Sequence, residues 1–264
     1  MEFLNALRGP VPAGLKIGDP FYVLYMEDCQ APGTSRVDID KGFVQDLGAR
    51  LQDEGHPLVC IDREYIVTLP ETVILDLARP ETRWLGMLNQ YTFITELRKT
   101  YKGLITLYGG GTHAGWMDFC GWFIQQGWSS WVRQKWAYFD SWERDIKPLI
   151  ETLDFVSPSV YGGYHFYQPE NPDYGLQYRL EFEDYCKAMA HSYQMIDAAM
   201  KLYHDKPVVW FVRPHWEHGA PKGALSSQLK ALEQYGWPVA LWASEDAVIP
   251  EYEQGVINAF SDAA

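Results

Sequence analysis

Short, nearly continuous apolar runs alternate along this chain with longer stretches of helical periodicity, and that rhythm leaves few folds open. The runs are Tyr22–Glu27 (YVLYME), Leu58–Tyr65 (LVCIDREY), Leu104–Tyr108 (LITLY), Phe155–Tyr161 (FVSPSVY), Val208–Arg213 (VVWFVR) and Val239–Ser244 (VALWAS). Such runs are expected of strands buried on both faces of a parallel sheet. Between them, apolar residues recur at i, i+3, i+4 spacing. The spacing predicts helices over Val44–Glu54, ending at Gly55, and over Leu88–Lys102, ending at Gly103. It also predicts a long amphipathic helix over Tyr178–His204, and another over Ser226–Tyr235 with serines able to cap its start.

Strand–helix alternation calls for right-handed crossovers and a parallel sheet. No glycine-rich fingerprint follows the first strand, which argues against a flat dinucleotide-binding sheet. The expectation is an α/β fold, a TIM-like (β/α) barrel of six to eight parallel strands, closed or incomplete. Weaker strands are sought in Val67–Ile74 and near the N-terminus. A length of 264 residues suits one such barrel. With no repeat, linker or low-complexity tract, residues 1–264 read as a single catalytic domain.

Charge narrows the partners. A net charge of −13 sets up a field that disfavours nucleic acid, anionic membrane surfaces and polyanionic substrates. No apolar run approaches the ~20 residues a membrane span needs. Met1 to Gly18 mixes Glu2, Arg8 and two prolines and reads as neither signal peptide nor anchor. The expected location is therefore cytoplasmic, or outside the cell after release without a recognisable signal peptide. Cys29, Cys60, Cys120 and Cys186 form no CxxC pair and are expected to be free thiols, with Cys60 a small buried hydrophobe. Eleven Trp and seventeen Tyr supply rings with apolar faces and polar edges, which suit sugars as well as cores.

In a β/α barrel the working groups sit at the C-terminal ends of the strands. Those ends carry Glu27 and Asp28, then Asp62, Arg63 and Glu64, then Tyr108 with Gly109–Gly111. Tyr161 and Tyr164 follow, then Arg213, His215 and Glu217, and last Trp242 to Asp246. Asp62-x-Glu64 is the sharpest signal. Residues i and i+2 of a strand share a face, so both carboxylates project to the same side. Two carboxylates that close cannot ionise independently, and one keeps its proton to higher pH. A carboxylic acid still protonated near neutral pH is what protonation of a glycosidic oxygen requires. The structural alternative is a solvated loop start paired with Arg63.

The block LVCIDREY resembles the strand that carries the Asp-x-Glu acid of the hyaluronidase family of glycoside hydrolases. SPSVYGGY (Ser157–Tyr164), KPVVWFVRPHW (Lys206–Trp216) and VALWASED (Val239–Asp246) resemble later strand ends of that family, in the same order. The resemblance implies a glycosidase of N-acetylhexosamine-containing glycans. Glu64 would be the general acid/base, and Asp62 would hold the substrate's 2-acetamido group, whose carbonyl replaces an enzyme nucleophile. Tyr161 would bond that group and Trp242 would wall the pocket. Tyr108 would match a further substrate tyrosine, and Arg213 and Glu217 would line the cleft. The middle residue of the motif is Arg63, where the family typically has Trp. No disulfide framework is evident. These departures point away from hyaluronan itself and toward another glycan, peptidoglycan or a surface polysaccharide among them.

A second enzyme reading makes Glu27 a carboxylate nucleophile facing Glu64. Carboxyl separations of about 5 Å would then mean retention, and about 6.5–9.5 Å inversion. A non-catalytic carbohydrate-binding barrel is the third reading. No cofactor is called for. His113, His165, His215 and His218 with Glu217 lack the spacing of a metalloprotease, so no metal is assigned. Gly109–Gly111 lack the Lys-Ser/Thr of a phosphate cradle, and Ser157 and Ser159 lack a nucleophile elbow. The tryptophans from Trp116 to Trp142 suit a glycan platform or a packing stripe. Oligomeric state is left open.

Overall fold

The apolar runs pair in parallel, as their composition demands. The computed structural model describes residues 1–18, 22–35, 37–63, 66–67, 74–75, 80–109, 140, 144–160, 190, 193–198, 200–202, 205–214, 222–244 and 247–263. The parallel strands are β1 (Phe3–Asn5), β2 (Tyr22–Leu24), β3 (Leu58–Ile61), β6 (Leu104–Leu107), β7 (Trp210–Val212) and β8 (Val239–Leu241). They form two three-stranded sheets, in the orders β2-β3-β6 and β1-β8-β7. Residues 155–159 join the two sheets. Tyr108 bridges Ser157, Val156 bridges Val208 and Ser159 bridges Phe211, all in parallel. The predicted strand Phe155–Tyr161 is thus a run of single bridges. Pro158 explains this, because it has no N–H to give a continuous ladder.

One further expectation holds and two are corrected. A strand near the N-terminus does exist, as β1, but the described residues around Val67 and Ile74 add no strand to the parallel sheets. Instead β4 (Ile66–Val67) and β5 (Ile74–Leu75) pair antiparallel with each other. The strand predicted over Tyr22–Glu27 stops at Leu24, and the chain turns from Met26 to Cys29. Among the described residues no ladder joins β1 to β2, so the barrel is incomplete at that seam.

The helices pack outside. α1 (Lys41–Asp53) starts at Asp40, whose carboxylate accepts the Phe43 N–H, and Gly55 after its end takes φ 77°. It buries Val44, Leu47, Gly48 and Leu51, the stripe predicted for it. A Cβ at Gly48 would sit 2.4 Å from the Thr100 hydroxyl, so glycine is what lets α1 meet the segment after the next helix. That helix, α2 (Pro80–Leu97), begins eight positions earlier than predicted, with proline at its first position, where it costs no hydrogen bond. The predicted serine cap of the next helix fails. α3 (Ala224–Glu233) starts after Gly223 with no side-chain cap, leaving Ser226 and Ser227 inside it. α4 (Glu251–Asp262) closes the chain, and Lys16 pairs with Asp262 at 2.6 Å to fasten the N-terminal segment to it. Of the long helix predicted over Tyr178–His204, residues 193–198 and 200–202 are described and are helical.

Strand alternation sorts side chains onto two faces. Val59, Ile61, Ile105, Leu107, Val208, Trp210, Val212, Val239 and Leu241 face the helices in the larger core. Their neighbours Cys60, Tyr108, Phe155, Val209, Phe211 and Ala240, with Leu4, Ala6 and Val23, make a second cluster. Every parallel strand contributes to this second cluster, directly or through the residue after it. One face of the sheet therefore curls onto itself, as a barrel interior does. Cys60 behaves as the predicted buried hydrophobe.

Candidate active site

Extending the inner parity past each strand leads to a polar layer. β1 runs Leu4, Ala6, Arg8; β2 runs Val23, Tyr25; β3 runs Cys60, Asp62. β6 leads to Tyr108, the bridged segment to Ser159, β7 to Arg213 and β8 to Trp242. These side chains meet. The Arg8 guanidinium lies 4.0 Å from the centre of the Tyr25 ring. The Trp242 indole N–H donates to the Tyr25 hydroxyl at 3.0 Å. Arg213 sits over the Trp242 ring at 5.3 Å. Tyr108 donates its hydroxyl to Ser159 at 2.9 Å. The Tyr25 contacts cross the seam between β1 and β2 that the backbone leaves unpaired.

Asp62 stands in this layer. Its N–H still donates to the Leu24 carbonyl at 2.7 Å, so the strand geometry persists to this position and directs its side chain inward. Burial pushes its carboxyl up to about 7, the negative charge of Glu27 adds to the rise, and Arg8 opposes it. Burial likewise pushes Tyr25 up to about 12, against the hydrogen bond from Trp242 and the charge of Arg8. The layer thus combines a carboxyl that holds a proton near neutral pH, an aromatic wall and two guanidinium groups. That set suits proton transfer beside an oxygen-rich ligand.

The sign of the pH dependence follows. The unfolded chain releases an aspartate proton near about 4, whereas folded Asp62 keeps it to about 7. The folded state binds more protons between those values. Its stability is full below that window and falls as pH rises through it. Asp62→Asn removes the burden of a buried charge. The variant is expected to unfold at a higher temperature than wild type at about pH 8 and at a similar temperature at about pH 4. Equal midpoints at pH 8 would refute burial as the cause.

The predicted residues fare unequally. Asp62, Trp242 and Arg213 come together in the layer. Tyr108 joins from beneath, 9% exposed, its ring edge-on to Phe211 at 5.3 Å and its hydroxyl bound to Ser159, so it is largely part of the inner packing. Glu27 does not close a strand as expected. It is exposed in the turn after β2, yet near enough for its charge to bear on Asp62. Arg63 does not pair with Asp62. It is buried on the helix side, with its guanidinium 4.5 Å from the centre of the Phe93 ring. Glu64, Tyr161, Glu217, Gly110, Gly111, the four histidines of the rejected metal reading and the tryptophans from Trp116 to Trp142 lie outside the described residues.

No protein-family model matches the chain, and no curated protein sequence does. Among solved structures, bee venom hyaluronidase in complex with a hyaluronic acid tetramer superposes with a TM-score of 0.51. The match has 11% identity and covers 99% of this chain and 83% of that one. The cellulase XacCel5A matches with a TM-score of 0.49 and 15% identity, over 93% of this chain and 74% of its own. The fold is similar to that of the bee venom enzyme. At this identity the likeness speaks for the architecture alone.

Two members of the layer, Arg8 and Tyr25, escaped the sequence reading. The signal was present, since each lies at the inner parity of its strand. A three-residue strand such as β1 carries too little apolar pattern to stand out, and the run Tyr22–Glu27 hides that β2 ends at Leu24, one residue before Tyr25. Cys29, at the end of the following turn, is buried with its thiol pushed up to about 12 by that burial. Among the described residues, Cys29 and Cys60 are both free thiols.

Proposed function

We propose that this chain is a glycoside hydrolase acting on an N-acetylhexosamine-containing glycan. The observation that carries the proposal is Asp62. It is an inward carboxyl at the end of β3, pushed up to about 7, in a layer walled by Tyr25 and Trp242. The similarity of fold to the bee venom enzyme is in keeping with it, since barrels of this kind build sites from strand ends.

In this reading Glu64, two residues on, donates a proton to the glycosidic oxygen as its bond to the anomeric carbon breaks. The acetamido carbonyl oxygen attacks that carbon and closes a five-membered oxazolinium ring. Asp62, in the fraction ionised as pH rises through about 7, accepts the acetamido N–H and steadies the positive charge that develops there. Glu64, now a carboxylate, takes a proton from the water that reopens the ring, so the configuration is retained. Tyr161 bonds the acetamido group, and Trp242 packs against its methyl. The exposure of Glu27 in a turn weighs against its use as a nucleophile.

The test is reducing-end release from a panel of N-acetylated glycans, including peptidoglycan and hyaluronan, assayed on both sides of pH 7. Release restricted to substrates with a 2-acetamido group is expected. Glycan binding without release from any member would make the chain a carbohydrate-binding barrel instead.

A further inference from the structure

The residue between the two carboxylates of the acid motif is turned away from the cleft and held there. Arg63 is 3% exposed and stacks on Phe93, which is fully buried in the core face of α2. One turn earlier on that helix, Gln90 is also 3% exposed. Its amide N–H donates to the Arg63 backbone carbonyl at 2.6 Å, and its carbonyl oxygen lies 3.5 Å from the guanidinium. A single amide therefore grips both the backbone and the side chain of Arg63. Burying a guanidinium is costly, and the Phe93 ring with the Gln90 carbonyl beside it offsets part of that cost. Residues i and i+2 share a face and i+1 takes the other, so whatever holds Arg63 outward holds Asp62 inward.

We infer that Gln90 is a positioning residue, through which α2 clamps the Arg63 peptide and so sets the orientation of Asp62. The inference rests on the reading of Asp62 and Glu64 as the working carboxylates. The clamp itself is testable without it. Loosening the grip frees the Arg63 peptide to rotate and takes the half-buried Asp62 carboxyl out of the surroundings that hold its proton.

The test is Gln90→Met, which keeps the volume and removes both polar contacts, with Gln90→Leu as a second variant should the first not fold. Asp62 is followed by carbon-13 NMR titration of aspartate-labelled protein, and Asp62→Asn assigns its resonance. In wild type the carboxyl is expected to titrate at about 7. In the folded variant the midpoint is expected to move down toward about 4. On a substrate the wild type cleaves, kcat is expected to fall about tenfold or more with KM little changed, as for other outer-shell partners of reacting groups. A folded variant whose Asp62 titrates as in wild type would overturn the clamp, whatever the activity. If wild type cleaves no glycan, the glycosidase reading fails, and the titration still decides the clamp.

Discussion

Glu64→Gln is expected to lower turnover by about 10²–10⁴-fold while the protein unfolds at the same temperature as wild type. Glutamine keeps the shape and hydrogen-bonding reach of glutamate but has no acidic proton for the leaving oxygen. The loss should depend on the leaving group. An alkoxide leaving from a sugar needs protonation as the bond breaks, whereas a nitrophenolate leaves nearly unaided. The variant should accordingly retain far more activity on a nitrophenyl N-acetylhexosaminide than on an oligosaccharide. Initial rates on the two substrates, with thermal unfolding as the control for folding, make the measurement. Near-wild-type turnover of the oligosaccharide would remove Glu64 from the reaction, and a loss equal on both substrates would put its main contribution in the ring-opening step that both share.

The largest stability effect is expected at Trp210. This residue is fully buried on the helix-facing side of β7, with the rings of Tyr193 and Tyr235 each 5.8 Å from its own. It ties β7 to Tyr193 in the helical residues 193–198 and to Tyr235 just past the end of α3. Trp210→Ala strips the shared ring from both contacts and leaves a void that neighbouring strands and helices cannot close. The expected cost is about 3–5 kcal/mol, a large share of the ~5–15 kcal/mol by which a typical domain is stable. Trp210→Phe keeps a ring in the slot and should cost a smaller part of that. Denaturant unfolding read by tryptophan fluorescence and far-ultraviolet dichroism checks both. A cost under about 1 kcal/mol for the alanine variant would mean that the site collapses around the missing ring.

The division of the parallel strands into a helix-facing side, which holds Trp210, and an inner side, to which Asp62 belongs, was readable in the sequence. The apolar runs placed β2, β3, β6, β7 and β8 because a parallel strand buried on both sides needs little beyond an unbroken hydrophobic stretch. The same two-residue period put Cys60 and Asp62 on one side and Val59 and Ile61 on the other. These features depend only on neighbours along the chain. So do the helix-ending role of Gly55 and the stripe of α1.

What the tertiary structure decided concerns partners far apart in sequence. The residue between the carboxylates could have reached solvent or paired with Asp62. Strand parity turns Arg63 away from Asp62, and the arrival of α2, with Gln90 and Phe93, decides that it is buried there rather than solvated. Arg8 and Tyr25 became part of the site because β1 docks on β8, which brings Trp242 to a tyrosine 217 residues earlier in the chain. The turn that carries Glu27 off the strand is likewise chosen by packing, since Cys29 at its end is buried in the helix-side core. Local periodicity fixes which way a side chain faces. Which distant side chain it then meets, and how dry the meeting is, depends on the order in which strands and helices pack. That packing is what raises the Asp62 carboxyl to about 7.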